Sequence, residues 1–384
     1  MQSVLASNSI RRVGGFFLIL ILRLTKTIVI TMLNTPQKNR LENIQISNVL
    51  DESLSGKSAT YLVCILDWGL GHATRCMPII ETLLAKGHRV HIASDGQSLA
   101  LLKKEFPNLS FFELPSYGIT YRYQNMLLNM ALQSPSFFRA QKKEHKVIQD
   151  IVNQHDINII VSDNRYGCYS SKVSKNIFVT HQINIKTGNR WLDGLARWVN
   201  HALINRFDAL WIPDVAHEPS LAGELSHGYE QGLPPMTYIG HLSRMKKLNL
   251  VQQYDIAVVL SGPEPQRTYL EQTLIAQLRK LPQRSILIRG LPKENQRYMD
   301  TPMLEIVSHM TARELNEVIC QSALIVCRSG YTTVMDLEIL NKKVLMIPTP
   351  GQIEQEYLAD RLAKQGKCMV QTQDKVDLAA ALLQ

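Results

Sequence analysis

The sequence predicts an α/β protein made of two Rossmann-like halves whose parallel sheets face each other across a cleft. Three observations carry this. Short apolar runs alternate with longer segments of helical apolar spacing from Thr60 onward. The alternation is interrupted at "YIGHLSRMKKLNL" (residues 238–250) and then resumes. The length, 384 residues, is long for one core and suits two. Strands separated by helices require crossover connections, which bury a parallel sheet between helical layers.

In the first half, "TYLVCIL", "HRVHIAS", "LSFFELP", "INIIVSD", "NIFVTH" and "ALWIPD" read as strands. Between them, the helical pattern from Thr74 onward ("TRCMPIIETLLAKG"), "SLALLKKEF", residues 122–154 and the amphipathic "WLDGLARWVNHALIN" read as helices. In the second half, "DIAVVLS", "SILIRG", "LEIVSH", "ALIVCRS" and "KVLMIPT" are strands. "YLEQTLIAQLRKL", "TARELNEVICQS", "GYTTVMDLEILN" and "QEYLADRLAKQG" are helices. This divides the chain into an N-terminal extension over 1–58, a first Rossmann-like domain over 59–245 and a second over 252–384.

Within the extension, "RRVGGFFLILILRLTKTIVITML" (residues 11–33) has an uninterrupted apolar core from Val13 to Leu22, too short to span a bilayer. Arg23 and Lys26 follow it, and no small-residue cleavage site stands after it. An upstream extension preceding a start such as Met32, a weak membrane anchor and an export signal are the three readings, in that order. "SGKS" at 55–58 is not a phosphate-binding P-loop: Asp51 stands where that motif needs its first glycine, and a strand follows.

The formal net charge of +9 favours an anionic partner. No arginine-rich arm or basic–aromatic alternation points to nucleic acid. The six cysteines have no C-x-x-C spacing and mostly lie in apolar runs, as in a reducing compartment. The chain has no D-x-D, a carboxylate spacing that can hold a divalent metal on a diphosphate.

Open α/β sheets bind ligands beyond the carboxyl ends of their strands. In the first half those ends carry Gly69, Gly71 and His72, then Asp163, Asn164 and Arg165, and then His181. In the second half they carry Ser261, Gly262 and Arg267, then Arg289, His309, Ser329 and Gly330, and the stretch "PTPGQIEQE". Ser329-Gly330 ends a strand and opens a helix, a geometry that suits anions. Asp336 lies in that helix, where it either meets ribose hydroxyls or is a solvated charge. His72, at neutral pH, suits a general base, or else it is a capping or supporting histidine. Asp163 is its rival or its orienting partner.

The segment "VCRSGYTTVMDLEILNKKVLMIPTPGQIEQEYLADRLAKQG" resembles the donor-binding segment of GT-B glycosyltransferases, most closely the MurG-like N-acetylglucosaminyltransferases. The likeness is strong over roughly 305–368 and weaker over 60–80. It implies that Ser261, Gly262, Arg267, Arg289, His309, Ser329 and Gly330 serve the donor. It also implies that Asp336 holds its ribose and that Gln355 and Glu356 contact its sugar. Gly69, Gly71, Asn164, Arg165 and His181 would face the acceptor, with His72 and Asp163 catalytic. Asp336 replaces a family glutamate and Glu356 a family glutamine, so the identity of the sugar stays open.

The expected activity is inverting transfer from a nucleotide sugar, UDP-linked and UDP-GlcNAc among the candidates, to a hydroxyl, without metal or other cofactor. A nucleotide-sugar epimerase and a non-catalytic binding protein are the alternatives. A lipid-linked acceptor, peripheral membrane contact through "FFRAQKKEHK" (137–146) and a cytoplasmic location at the inner membrane face go with the expectation. The resemblance implies a closing helix that crosses back to the first domain, and its absence after "DKVDLAAALLQ" is an open expectation.

Overall fold

The computed structural model describes residues 58–118, 126–291 and 293–383, the side chains of 126–135 excepted. Apart from Ser58, the expected extension therefore lies outside the described residues. The first sheet contains β1 (Thr60–Ile65), β2 (Arg89–Ser94), β3 (Ser110–Glu113), β4 (Ile159–Asp163), β5 (Lys175–Val179), β6 (Ala209–Ile212) and β7 (Met236–Tyr238). Its order is β3-β2-β1-β4-β5-β6-β7, parallel throughout. The second contains β8 (Tyr254–Val259), β9 (Ser285–Ile288), β10 (Arg297–Thr301), β11 (Leu304–Val307), β12 (Ser322–Cys327), β13 (Lys343–Met346) and β14 (Met369–Val370). Its order is β10-β11-β9-β8-β12-β13-β14, with only β10 antiparallel.

Every residue of β1 and β4 is buried, which is why these strands read as unbroken apolar runs rather than alternating ones. The order of the first sheet reverses between β1 and β4, and the second reverses between β8 and β12. A crevice opens at such a switch point. Both crevices are entered by a helix that begins at a glycine. In the first, α1 (Leu70–Ala85) starts after Gly69. The sequence pattern placed that start at Thr74, but the turn is tighter, and Gly71 and His72 already lie in the first helical turn. Asp67, just before it, accepts the backbone N–H of Ser98 at 2.9 Å and so caps α2 (Gly96–Glu105). The rest of the first half is completed by α3 (Met126–Gln154) and α4 (Arg190–Ile204).

The second half holds α5 (Gln266–Leu278), α6 (Ala312–Cys320), α7 (Tyr331–Leu340), α8 (Ile353–Lys364) and α9 (Leu378–Leu382). Helix α7 begins after Gly330, at the switch point. A capping box between Thr311 and Glu314 fixes the start of α6. The short α9 packs on α5, where Gln277 accepts the backbone N–H of Leu378.

The two sheets share one apolar cluster, which runs from Val63, Val161 and Trp211 through Tyr331 and Val334 to Ile325 and Met346. Polar contacts add to it. Tyr331 Oη donates to the Pro213 carbonyl at 2.7 Å, and Thr332 Oγ1 to the Gly71 carbonyl at 3.1 Å. Arg361 on α8 reaches Glu218 at 2.5 Å. Three strands escaped the sequence reading: β7, β10 and β14. They are edge or near-edge strands, short or polar, and carry no apolar run to betray them.

Candidate active site

The first turn of α1 and the end of β4 meet in a compact group. Asp163 is fully buried at the last position of β4. One of its oxygens, Oδ1, accepts Arg75 Nε at 3.0 Å and Nη2 of the same guanidinium. The other, Oδ2, lies 2.8 Å from His72 Nδ1. Burial alone would raise the Asp163 carboxyl, but Arg75 and then His72 outweigh it and hold it down to about 2. An ionised carboxylate only accepts, so His72 Nδ1 carries the proton and Nε2 keeps its lone pair. Among the described residues no hydrogen bond engages Nε2. Burial, then the Arg75 charge, lowers the His72 pKa below the ordinary 6.5 against the pull of Asp163. The imidazole is therefore neutral at physiological pH, with a free basic nitrogen.

Glycine matters directly at one place here. A side chain at Gly71 would put its Cβ 3.0 Å from Thr332 Oγ1 on α7, so the close approach of the two helix starts depends on its absence. Neither Gly69 nor Gly330 caps its helix with a side chain, and neither helix has an acidic residue in its first turn. Two positive helix ends thus face the same gap.

On the second sheet, Ser329 is buried and donates to the Gln355 carbonyl at 2.7 Å, which ties the start of α7 to α8. Gln355 Oε1 accepts the Thr349 backbone N–H, and Glu356 accepts that of Gly351. Both expected sugar-contacting residues hence brace the loop after β13, and Glu356 is exposed. Ser261 and Gly262 are exposed at the end of β8, with Gly262 at φ +104°, a conformation that favours glycine.

Asp336 is not a solvated helix charge: it accepts a hydrogen bond from Ser243 in the connection between the sheets. Burial raises its carboxyl to about 6, opposed by Ser243 and Arg244. His309 is half-buried, and its pKa is lowered by burial and by Lys104 and Arg244.

Several expected residues stand elsewhere. Arg165 is sealed inside the first half, paired with Asp95 at 2.5 Å and Glu144 at 3.1 Å, with no exposed surface left for an acceptor. Asn164 has φ +54° and its backbone N–H bonds the Val179 carbonyl, so it shapes the strand end. Arg267 is clamped between Glu264 and Glu271, and Arg289 between Glu271 and Glu294. Both guanidiniums are already neutralised by carboxylates, which leaves neither as a spare cation for a diphosphate.

Among the described residues, one spare cation lies in the strand-end "RSG" (328–330), where the sequence assigned it no role of its own. Arg328, fully buried after β12, donates to the carbonyls of Ile347, Pro348 and Gln266 and to Gln373 Oε1. None of these partners carries charge, and burial lowers its pKa to about 10. Arg328 Nε and Thr349 Oγ1 are buried without hydrogen-bond partners. A Cβ on Gly262 would lie 3.5 Å from that Oγ1 and 4.0 Å from that Nε. The only signal in sequence was its place in "CRSG", directly before the residues that were singled out.

His181 is buried at the end of β5 and stacks on Tyr331 of the other sheet, with ring centroids 4.0 Å apart and planes at 7°. Its Nδ1 lies 3.2 Å from Arg75 Nη1 and its Nε2 2.8 Å from Glu354 Oε1 on α8. Glu354, one residue before the expected pair, lies in the stretch "PTPGQIEQE" but drew no role of its own from the sequence.

On the surface, the 137–146 stretch of α3 buries Gln141 and Glu144 and exposes Arg139, Lys142, Lys143 and Lys146. Helix α4 exposes Trp191, Leu192 and Trp198. Among the described residues no helix is long and apolar enough to cross a membrane.

Comparison with known proteins agrees with this layout. The glycosyltransferase family 28 C-terminal domain matches residues 259–384, and a glycosyl transferase family 1 domain matches residues 60–188. An uncharacterized glycosyltransferase of Methanosarcina mazei is 26% identical over 174 residues, 40% of this chain and 43% of that protein. The match thus spans less than half the length of that relative. Among solved structures, the glycotransferase of kitacinnamycin superposes with a TM-score of 0.61 at 15% identity, over 85% of this chain and 90% of its own. MurG of Acinetobacter baumannii does so at 0.50 and 12%, over 84% and 89%. At these identities the superpositions speak for the fold, and the two domain matches speak for the kind of protein. Each half of the chain thus matches a glycosyltransferase domain family, and the fold is that of the GT-B glycosyltransferases.

Proposed function

We propose that the protein transfers a sugar from a nucleotide sugar, UDP-linked and UDP-GlcNAc first among the candidates, to a hydroxyl acceptor with inversion at the anomeric carbon. The observation that carries this is His72: neutral, with Nδ1–H fixed by ionised Asp163 and Nε2 left free. In this reading Nε2 takes the proton of the acceptor hydroxyl while its oxygen attacks the anomeric carbon. The bond from that carbon to the diphosphate oxygen breaks, and the nucleoside diphosphate leaves with the electron pair. One displacement by one base inverts the centre. A histidine held by a buried carboxylate is suited to such a step because the carboxylate fixes the tautomer and stabilises the imidazolium that forms.

The leaving diphosphate needs positive charge. Arg328, a buried cation without a carboxylate, and the uncapped start of α7 supply it in place of Arg267 and Arg289. With that charge built into the chain, and with no D-x-D in the sequence, the transfer is proposed to proceed without metal. Asp336 and Gln355 remain the proposed ribose and sugar contacts. The basic face of α3 and the exposed tryptophans of α4 favour an acceptor presented at an anionic lipid surface on the inner side of the membrane.

The test is nucleoside diphosphate release from a panel of nucleotide sugars, with and without a membrane extract, in chelator, with His72→Ala alongside. Acceptor-dependent release that persists in chelator and collapses in the variant is the expected result. Acceptor-independent conversion of the nucleotide sugar would instead establish an epimerase. Binding without turnover under every condition would point to a binding protein or to an acceptor absent from the extract.

A further inference from the structure

The bridge from α8 to His181 has a consequence for the base. We infer that Glu354 is a positioning residue: it fixes His181, which holds Arg75 over Asp163 and so sets the state of His72. The inference rests on His72 being the base, and names what on the opposite sheet controls it.

Hydrogen-bond chemistry makes the chain of contacts directional. A guanidinium only donates, so His181 Nδ1, 3.2 Å from Arg75 Nη1, must be the acceptor. The ring proton then sits on Nε2 and points at Glu354 Oε1, 2.8 Å away. Glu354 thereby selects the His181 tautomer that can receive Arg75. The Tyr331 ring, parallel to the imidazole, fixes its plane. Arg75 in turn spends Nε and Nη2 on Asp163 Oδ1, which leaves Oδ2 for His72. Each group in the line has its role set by the one before it, and the first and last stand on helices of different halves of the chain.

Glu354 is also placed to respond to the donor. It lies in the first turn of α8, beside Gln355, which braces the Thr349 loop. A nucleotide sugar that touches that loop would therefore also bear on Glu354.

The charged and titratable groups facing His72 are Asp163 from β4, Arg75 from its own helix and His181 from the end of β5. Behind His181 stand Glu354 on α8 and Tyr331 on α7. If Glu354 is truncated, His181 loses its Nε2 acceptor and its tautomer is no longer selected. Arg75 is then held less firmly, its charge opposes Asp163 less well, and the His72 midpoint rises toward 6.5.

The experiment is a pH titration of the histidine ring nitrogens by NMR in the full chain, which needs no substrate. Glu354→Ala, Glu354→Gln and, as a control, Arg361→Ala are compared with the parent. Arg361 bridges the same two sheets through Glu218 and Ser220 but touches none of the relay. The expected result is an upward shift of the His72 midpoint of roughly half a unit or more in Glu354→Ala. Glu354→Gln, whose amide oxygen still accepts from Nε2–H, should restore most of it, and Arg361→Ala should leave it in place. An unchanged or lowered midpoint in Glu354→Ala overturns the inference. So does an equal shift in Glu354→Gln, which keeps the acceptor for Nε2–H, or in Arg361→Ala, which leaves the relay untouched. The base itself is judged separately: if His72→Ala leaves nucleoside diphosphate release intact, the proposed function fails whatever the titration shows.

Discussion

Two buried arginine–carboxylate clusters sit two residues apart at the end of β4, and they do opposite things. Asp163 turns toward α1 and the cleft, where one cation, Arg75, serves one carboxylate and a histidine completes the group. Arg165 turns into the first half, where one cation is shared between Asp95 and Glu144, and Tyr117 and the Gly167 backbone N–H close the group. The titration of the acids follows from this count. Asp163 is held down to about 2, whereas burial pushes Asp95 and Glu144 up, because half an arginine each does not offset it. Burial and charge are common to both clusters. What singles out the first is a member with an unused basic atom.

The largest way to break the comparison is His72→Ala. Turnover, read as nucleoside diphosphate release, should fall by about 10²–10⁴-fold, with the melting temperature little changed. Asp163→Asn should reduce turnover by roughly 10²-fold, because His72 loses the ionic partner that fixes its tautomer. It should also cost stability on the order of 3–5 kcal/mol in denaturant unfolding, since Arg75 is left buried and unpaired. Arg165→Met should show that second effect alone: a stability loss of similar order, about 3–5 kcal/mol, with turnover per folded molecule unchanged. A variant of Arg165 that folds normally and loses turnover would abolish the distinction between the clusters.

The pH dependence sharpens it. The folded pKa of Asp163 is depressed, so its stabilisation is complete above its unfolded value of 3.8 and is lost as pH falls toward about 2. Glu144 has a raised folded pKa, so its contribution is present below the unfolded value of 4.5 and is lost as pH rises above it. Stability curves of Asp163→Asn and Glu144→Gln against pH should therefore differ from the parent with opposite slopes. The acid limb of turnover should lie below pH 6.5, because His72 must be neutral to act and its pKa is lowered.

The smallest expected effect is at Asp336. Its carboxyl, raised to about 6, contributes stability below 3.8 that is lost as pH rises through its folded value. Asp336→Asn should raise the melting temperature at pH 7.5 by about 2–4 °C, less at pH 4, and weaken nucleotide-sugar binding.

The halves of the chemistry differed in how legible they were. His72 and Asp163 stand at the ends of apolar runs, where the fold rule alone sends the eye. Arg75 and Glu354 do not, and Arg328, although it ends such a run, shows nothing in sequence of the uncharged partners that leave it spare. Arg75 pairs with a carboxylate 88 positions later and Glu354 with a histidine 173 positions earlier, and no local spacing encodes such partners. Arg267 shows the converse. Glu264 and Glu271 flank it at i−3 and i+4, a helical spacing that already announces its neutralisation. The strands that escaped notice did so because a sheet edge needs no apolar run.

Those edges have a consequence for the molecule in concentrated solution. The first sheet ends in β3, of four residues, and β7, of three. The second ends in β14, of two residues, and in β10, whose ladder with β11 slips register between Met299 and Thr301 and which carries Arg297 and Asp300. Among the described residues, none of these borders offers a long, flat, apolar template for another chain to extend, so ribbon-like aggregation has little to start from.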